Sequence, residues 1–333
     1  MRTNQKWLLK SRPVGLFKES DFEWREEPVA DLKDGEVLVR QVLLSLDPTN
    51  KVWATQDSYL PAVPLGDVMR GFGIGVVEES RNAGFAAGDV VQGMFNWQLY
   101  AVSNGAGLNT LPKGVPLSLF MGVLGPIGIT AYFGLLEIGQ PKAGETVVVA
   151  AASGPVGATV GQLARIYGAR AVGIAGGQEK VEYVRSLGFD AALDHRSPTF
   201  NADLAAATPD GIDVYFENVG GHVWEAVFPR LNQFARVPVC GLVSSYNATS
   251  LPEGPDKTTL LLTAILRKRL TVRGFIVSDF ASLEPQFLRQ AAEWVRDGSL
   301  RCREDIVDGL ENAPAAFIGM LDGRNFGKLL VRV

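Results

Sequence analysis

A chain of 333 residues that is 47% hydrophobic is long enough to bury two cores of moderate size. Its net charge of -4, with Lys and Arg scattered and no basic run longer than the RKR at Arg267 to Arg269, argues against nucleic acid as a partner. No window is apolar for long enough to span a bilayer, and the two cysteines, Cys240 and Cys302, lack CxxC spacing, so a membrane partner and a disulfide framework are both disfavoured. A soluble cytoplasmic protein is the expectation.

From Met1 to about residue 120, short Val- and Leu-rich segments such as EVLVRQVLLSL and GVVEES are broken by KDG, DPTN and AAGD, which reads as an all-β region. From about residue 121 the pattern changes to strand followed by helix: TVVVAA and PVGATVGQLARIYG, then ARAVGIA and QEKVEYVRSLG, then AALDH, DVYFENVGG, RVPVCGL and LTVRGFIV. That alternation predicts a doubly wound parallel sheet, an α/β Rossmann arrangement. After the amphipathic PQFLRQAAEWVRDG, the closing strand GKLLVRV should return to the first domain. The expected division is therefore 1–120 with 300–333, β-rich, and 121–299, dinucleotide-binding.

The smallest residues sit where the first strand of the second region hands over to its helix. Ala152, Gly154 and Gly157 give an Ala-x-Gly-x-x-Gly spacing, one methyl away from the dinucleotide fingerprint. Strand character before it and helical spacing after it (Val156, Val160, Leu163, Ala164) point the free N–H groups of a helix start at the turn, where a pyrophosphate can be held without a basic side chain. Gly154, Pro155, Val156 and Gly157 are the predicted pyrophosphate contacts. A carboxylate at the end of the next strand would hold the ribose hydroxyls of NAD, but Ala175, Gly176 and Gly177 stand there. Lys180, one turn on, with His195 and Arg196 as neighbours, favours the 2′-phosphate of NADPH, against a solvated helix lysine pairing with Glu179 or Glu182. Two His and two Cys, all in the second half of the chain, do not suggest a metal centre. Without a metal, charge developing on a carbonyl oxygen needs hydroxyl donors.

The stretches SLDP (Ser45 to Pro48), Gly128 to Ala164, GIAGGQEK (Gly173 to Lys180), LGFDAA (Leu187 to Ala192), YFENVGG (Tyr215 to Gly221), CGLVSSYN (Cys240 to Asn247), RGFIV (Arg273 to Val277) and Glu311 to Val331 resemble the zinc-independent medium-chain dehydrogenases/reductases of the prostaglandin, alkenal double-bond and curcumin reductase group. The resemblance implies a GroES-like β-rich domain beside the Rossmann domain. It also implies NADPH-dependent reduction of the carbon–carbon double bond of α,β-unsaturated aldehydes or ketones, and a homodimer. Carried over by position, Asn218, the segment from Cys240 and Gly241 through Ser245 to Tyr246, the segment Phe275, Ile276 and Val277, and Asn325 line the remaining cofactor site. Two departures stand out: Thr49 and Lys51 replace a tyrosine and an arginine after DP, and His195 stands where a tyrosine commonly touches the cofactor phosphate.

Tyr246, after the strand-end Gly241, is the first candidate donor to the carbonyl oxygen; a tyrosine bonded to its own loop is the alternative. Tyr59, in DSYL, can supply the donor that Thr49 cannot, although a structural tyrosine is the favoured reading there. MFNWQLY, residues 94–100, reads either as a substrate wall or as core packing. A quinone reductase, or a binding module without turnover, remain competing functions.

Overall fold

Apolar alternation between turn residues lays down the first strands. In the computed structural model, which describes residues 2–250 and 253–333, β1 (Thr3–Leu9) pairs antiparallel with β2 (Phe22–Pro28), Trp7 opposite Trp24. β3 (Val37–Ser45), almost continuously apolar, is buried on both faces. The DPTN run does not act as a simple break: it opens a short helix, α1 (Thr49–Thr55), and so interrupts the all-β reading. Pro48, with φ near -55°, is already set for helix, and Asn50 Oδ1 accepts the Asp47 N–H at 2.7 Å to close the entry. β4 (Gly73–Ser80), β5 (Val90–Gly93), β6 (Tyr100–Ser103) and β7 (Asn109–Thr110) extend the sheet from β3. Within residues 94–100, Phe95 and Trp97 are fully buried, and Trp97 stacks on Phe22, so this stretch is core packing and only Met94 is left exposed.

Next come α2 (Pro126–Phe133), β8 (Thr146–Val149), α3 (Pro155–Ile166), β9 (Arg170–Ala175), α4 (Gln178–Ser186), β10 (Ala191–Asp194), α5 (Phe200–Ala207), β11 (Ile212–Phe216), α6 (Gly221–Val227), β12 (Leu231–Val239), α7 (Thr258–Lys268), β13 (Thr271–Gly274) and α8 (Glu284–Asp297). The six strands pair in parallel in the order β10-β9-β8-β11-β12-β13, the doubly wound order whose direction reverses between β8 and β11. Strands buried on both faces need unbroken apolar runs, and Val147, Val148 and Val149 are fully buried. Gly161 on α3 lies against the Phe189 ring, where a methyl group would overlap it, so this glycine sets how closely the segments pack.

β14 (Glu304–Asp308), α9 (Ala313–Leu321) and β15 (Lys328–Arg332) bring the chain back: β15 pairs antiparallel with β3 and parallel with β14. The returning strand predicted from GKLLVRV is therefore present. The chain divides into two compact units, residues 1–121 with 304–333 and residues 122–303. Leu9, Leu44, Trp97, Phe317 and Val331 share one core in the first; Val148, Val172, Tyr215 and Val237 share one in the second. Among the described residues no helix is long and apolar enough to cross a membrane.

Candidate active site

The turn between β8 and α3 is built for close approach to backbone. Ala151 takes the left-handed conformation at φ 53°, a strained state for a residue with a side chain, and Gly154 N–H bonds back to its carbonyl at 2.9 Å. Gly157 fits against that same carbonyl, which a methyl group would overlap. Gly154 is the N-cap of α3 and offers no side-chain cap, so the helix start presents its first-turn N–H groups to an anion, with Pro155 at a position where no N–H is needed. Gly154, Pro155, Val156 and Gly157 thus lie together at one helix start, a cradle that fits a pyrophosphate.

Beyond β9 the chain turns through Gly176 and Gly177, the latter at φ 92°. A methyl on Gly176 would stand 2.8 Å from His195 Nε2 and 3.0 Å from Arg196 Nε, so an imidazole and a guanidinium flank this turn directly. Asp194 Oδ1 accepts the N–H groups of both Gly177 and Arg196 at 2.9 Å, clamping the ends of β9 and β10 together; these bonds, with that of Gly177 foremost, hold its carboxyl below the usual range. Lys180 lies in the first turn of α4. His195 Nδ1 is 3.0 Å from Nε2 of His222, at the start of α6. Sequence reasoning named Arg196 only as a neighbour and missed Asp194 and His222; two histidines 27 positions apart carry no local signal of meeting.

After β11, Gly220 and Gly221 both have positive φ, at 75° and 56°, which explains the glycine pair in ENVGG. Glu217, 2% exposed, organises this bend: its Oε1 accepts the N–H groups of Val219 and Gly220 at 2.7 and 2.9 Å and the Tyr215 hydroxyl at 3.0 Å, while Oε2 is buried without a partner. Burial pushes its carboxyl up, against the opposing pull of those donors. Asn218 Nδ2 donates to Ala150 O at 2.9 Å, tying the bend to the end of β8. Cys240 follows β12; burial pushes its thiol up to about 12, so it is no activated nucleophile. The Tyr246 hydroxyl folds back to within 3.3 Å of where a Gly241 side chain would begin, and Ser245 Oγ donates to Leu242 O at 2.8 Å. Phe275 turns its ring into the core against Phe216, while Ile276 and Val277 stay half-buried, so the side chain of Phe275 supports the wall rather than facing a ligand.

In the first unit, Thr49 Oγ1 and the Tyr59 hydroxyl are 2.6 Å apart. Tyr59 is 47% exposed and its ring meets Trp53 edge-on, while the Arg70 guanidinium lies over the other aromatic partner, 5.6 Å from the Trp53 ring. Thr49 opens α1, and α1 is anchored through Asp47, whose Oδ1 is 2.6 Å from the buried Lys328 Nζ. Lys51, in the arginine position of the resemblance, is buried instead: its Nζ donates to Gly15 O and lies over the Phe17 ring. Asn325 Nδ2 donates to Gly327 O at 3.1 Å, just before β15.

Zinc does not fit these residues. Among the described residues no group of three or more His, Cys, Asp and Glu could hold a metal ion, and the two histidines bond to each other.

Residues 5–111 match the family described as the N-terminal domain of oxidoreductase, and residues 155–295 the one described as zinc-binding dehydrogenase, a name whose metal this chain has no ligand set to hold among the described residues. The NADPH-dependent curcumin reductase of Escherichia coli is 50% identical over 99% of this chain and 97% of its own length. Prostaglandin reductase 1 of Mus musculus is 39% identical, with 98% of each chain covered. The crystal structure of CurA in complex with NADPH from Vibrio vulnificus superposes with a TM-score of 0.96 at 45% identity, covering 99% of each chain. With both family matches falling on the two units and such likeness running end to end, the chain belongs to the medium-chain dehydrogenase/reductase family of oxidoreductases, in the group of the curcumin and prostaglandin reductases.

Proposed function

We propose that this chain is an NADPH-dependent reductase of the carbon–carbon double bond of α,β-unsaturated aldehydes or ketones, acting without a metal. The observation that carries the reading is the Thr49–Tyr59 hydroxyl pair, a half-exposed phenol with a hydroxyl partner in a chain whose other unit bears the dinucleotide turn. The relatives named for NADPH and for reductase activity support the cofactor and the reaction type.

NADPH, when bound, supplies a hydride to the β-carbon of the substrate. The α3 start holds its pyrophosphate through backbone N–H groups, and Lys180, Arg196 and His195 provide the positive side for its 2′-phosphate. The Tyr59 hydroxyl, paired with Thr49 Oγ1, is a donor of the kind that a carbonyl oxygen needs as negative charge grows on it. Tyr246 is the second candidate donor; its position over Gly241 supports an equal role in holding the cofactor bend. A homodimer belongs to the same reading: β13 ends the sheet with all four residues exposed, and Leu260, Leu262 and Leu266 on the adjoining α7 are exposed at 66%, 59% and 76%. Light scattering of the purified protein tests this; a monomer at all concentrations would remove the dimer.

The experiment for the activity is oxidation of NADPH and NADH with a 2-alkenal, an enone and a quinone, identifying each product. A saturated carbonyl formed with NADPH preference is expected. Turnover of quinone alone would make the protein a quinone reductase, and tight NADPH binding with no turnover would make it a binding module.

A further inference from the structure

The two histidines form the one hydrogen-bonded imidazole pair in the chain, and it stands beside the turn that the reading above assigns to the 2′-phosphate. In the neutral pair a single hydrogen lies between His195 Nδ1 and His222 Nε2, and its direction decides whether His195 Nε2 carries a hydrogen or a lone pair. Adding one proton removes that choice. Whichever ring donates, His195 Nε2 then bears an N–H, and that nitrogen is the one facing Gly176. The shared hydrogen bond also disfavours a second proton on the pair.

The surrounding charges set the starting point. Arg196, beside the same turn, and Lys180 on α4 oppose a proton on the pair, whereas Asp194 favours one. Glu225 on α6, paired with Lys257, is a further carboxylate near His222. Burial first, then His222 and Arg196, hold His195 below the ordinary imidazole range, so a proton on it calls for an anion nearby.

We propose that the His195–His222 pair takes up one proton when the 2′-phosphate of NADPH docks beside it, so that the preference for the phosphorylated dinucleotide strengthens as pH falls. The inference rests on the cofactor reading and adds a proton to it. Lys180 and Arg196 supply one part of the affinity for the phosphate; the pair supplies the part that varies with pH.

The test is titration calorimetry of the intact protein with NADPH and with NADH from about pH 6 to about pH 8.5, in buffers of differing ionisation enthalpy, for the wild type and the double variant His195→Asn, His222→Asn. One bound proton corresponds to a change in Kd on the order of tenfold per pH unit at full coupling. The expected result is NADPH binding that weakens several-fold as pH rises, with net proton uptake, while NADH binding stays flat. The phosphate itself ionises near pH 6 and pulls the other way, so the double variant, with no imidazole left to take up a proton, should flatten or reverse the NADPH slope. NADPH preference with no proton uptake and no slope would overturn the inference alone. Failure of NADPH to bind at any pH, or equal affinity for NADH throughout, would overturn the cofactor reading and the inference with it.

Discussion

Lys328 Nζ is 2.6 Å from Asp47 Oδ1, with the lysine 1% and the aspartate 24% exposed, and the same ammonium donates to Leu46 O at 3.2 Å. A buried ammonium is tolerated only when paired, so the last strand and the loop that launches α1 are fixed to each other by charge. Replacing Lys328 with Met should cost about 2–3 kcal/mol, below the value for a fully buried pair because Asp47 keeps contact with water. Chemical denaturation checks this; a loss under about 0.5 kcal/mol would show the pair to be marginal.

The hydroxyl pair makes a kinetic prediction. Tyr59→Phe should lower kcat/KM for a 2-alkenal roughly 10²-fold, the typical loss when one donor to a developing oxyanion is removed. NADPH affinity should be unchanged. Thr49→Val should give a smaller loss in the same direction, since it frees the phenol without deleting it. If Tyr59→Phe retains full activity and Tyr246→Phe does not, the donor is Tyr246.

Two glycines of α3 separate stability from binding. Gly161→Ala drives a methyl into the Phe189 ring and should destabilise the second unit by about 1–3 kcal/mol. Gly154 has φ -77°, open to any residue, and its nearest obstacle is Ala151 O at 3.2 Å. Gly154→Ala should therefore fold well yet raise the Kd for NADPH on the order of tenfold, about 1.4 kcal/mol, because the methyl takes up space at the phosphate turn. Thermal unfolding and fluorescence titration of both variants distinguish the two effects, and equal behaviour would contradict the assignment of the turn.

Glu217 supplies a pH prediction with a definite sign. Its folded carboxyl is raised by burial, so the stability it contributes is complete below the ordinary glutamate range and is lost as pH rises through the raised folded value. Glu217→Gln keeps an oxygen for Val219, Gly220 and Tyr215 and cannot ionise. The unfolding temperature of the variant relative to wild type should therefore rise as pH climbs above the ordinary glutamate range. A constant difference would mean that the carboxyl is charged in the fold.

The parallel sheet was legible because β8, β9 and β11 are apolar on both faces and because glycines mark the exits of β9 and β11. The helix α1 was hidden, since Pro48 and Asn50 serve a helix entry as readily as a turn. Ala151 escaped notice for a related reason: positive φ is legible in glycine and invisible in alanine. Glu217 reads as a surface carboxylate in sequence, and only its three donors and buried second oxygen reveal its place. The meeting of Thr49 with Tyr59 depends on loop closure, including the Ala62 N–H to Asp57 bond at 2.9 Å, which no periodicity encodes.

The return of β15 to β3 also sets an order of events during synthesis. Asp47 and Lys328 are 281 positions apart, so a nascent chain has already produced residues 122–303, one uninterrupted unit, before the first unit can receive its final strand. The loop bearing Thr49 waits for Lys328 to emerge before it is secured. A ribosome-stalled chain ending before Lys328 should accordingly be cut by protease within residues 1–121 while residues 122–303 resist, and the opposite pattern would show that the amino-terminal strands stand without their last partner.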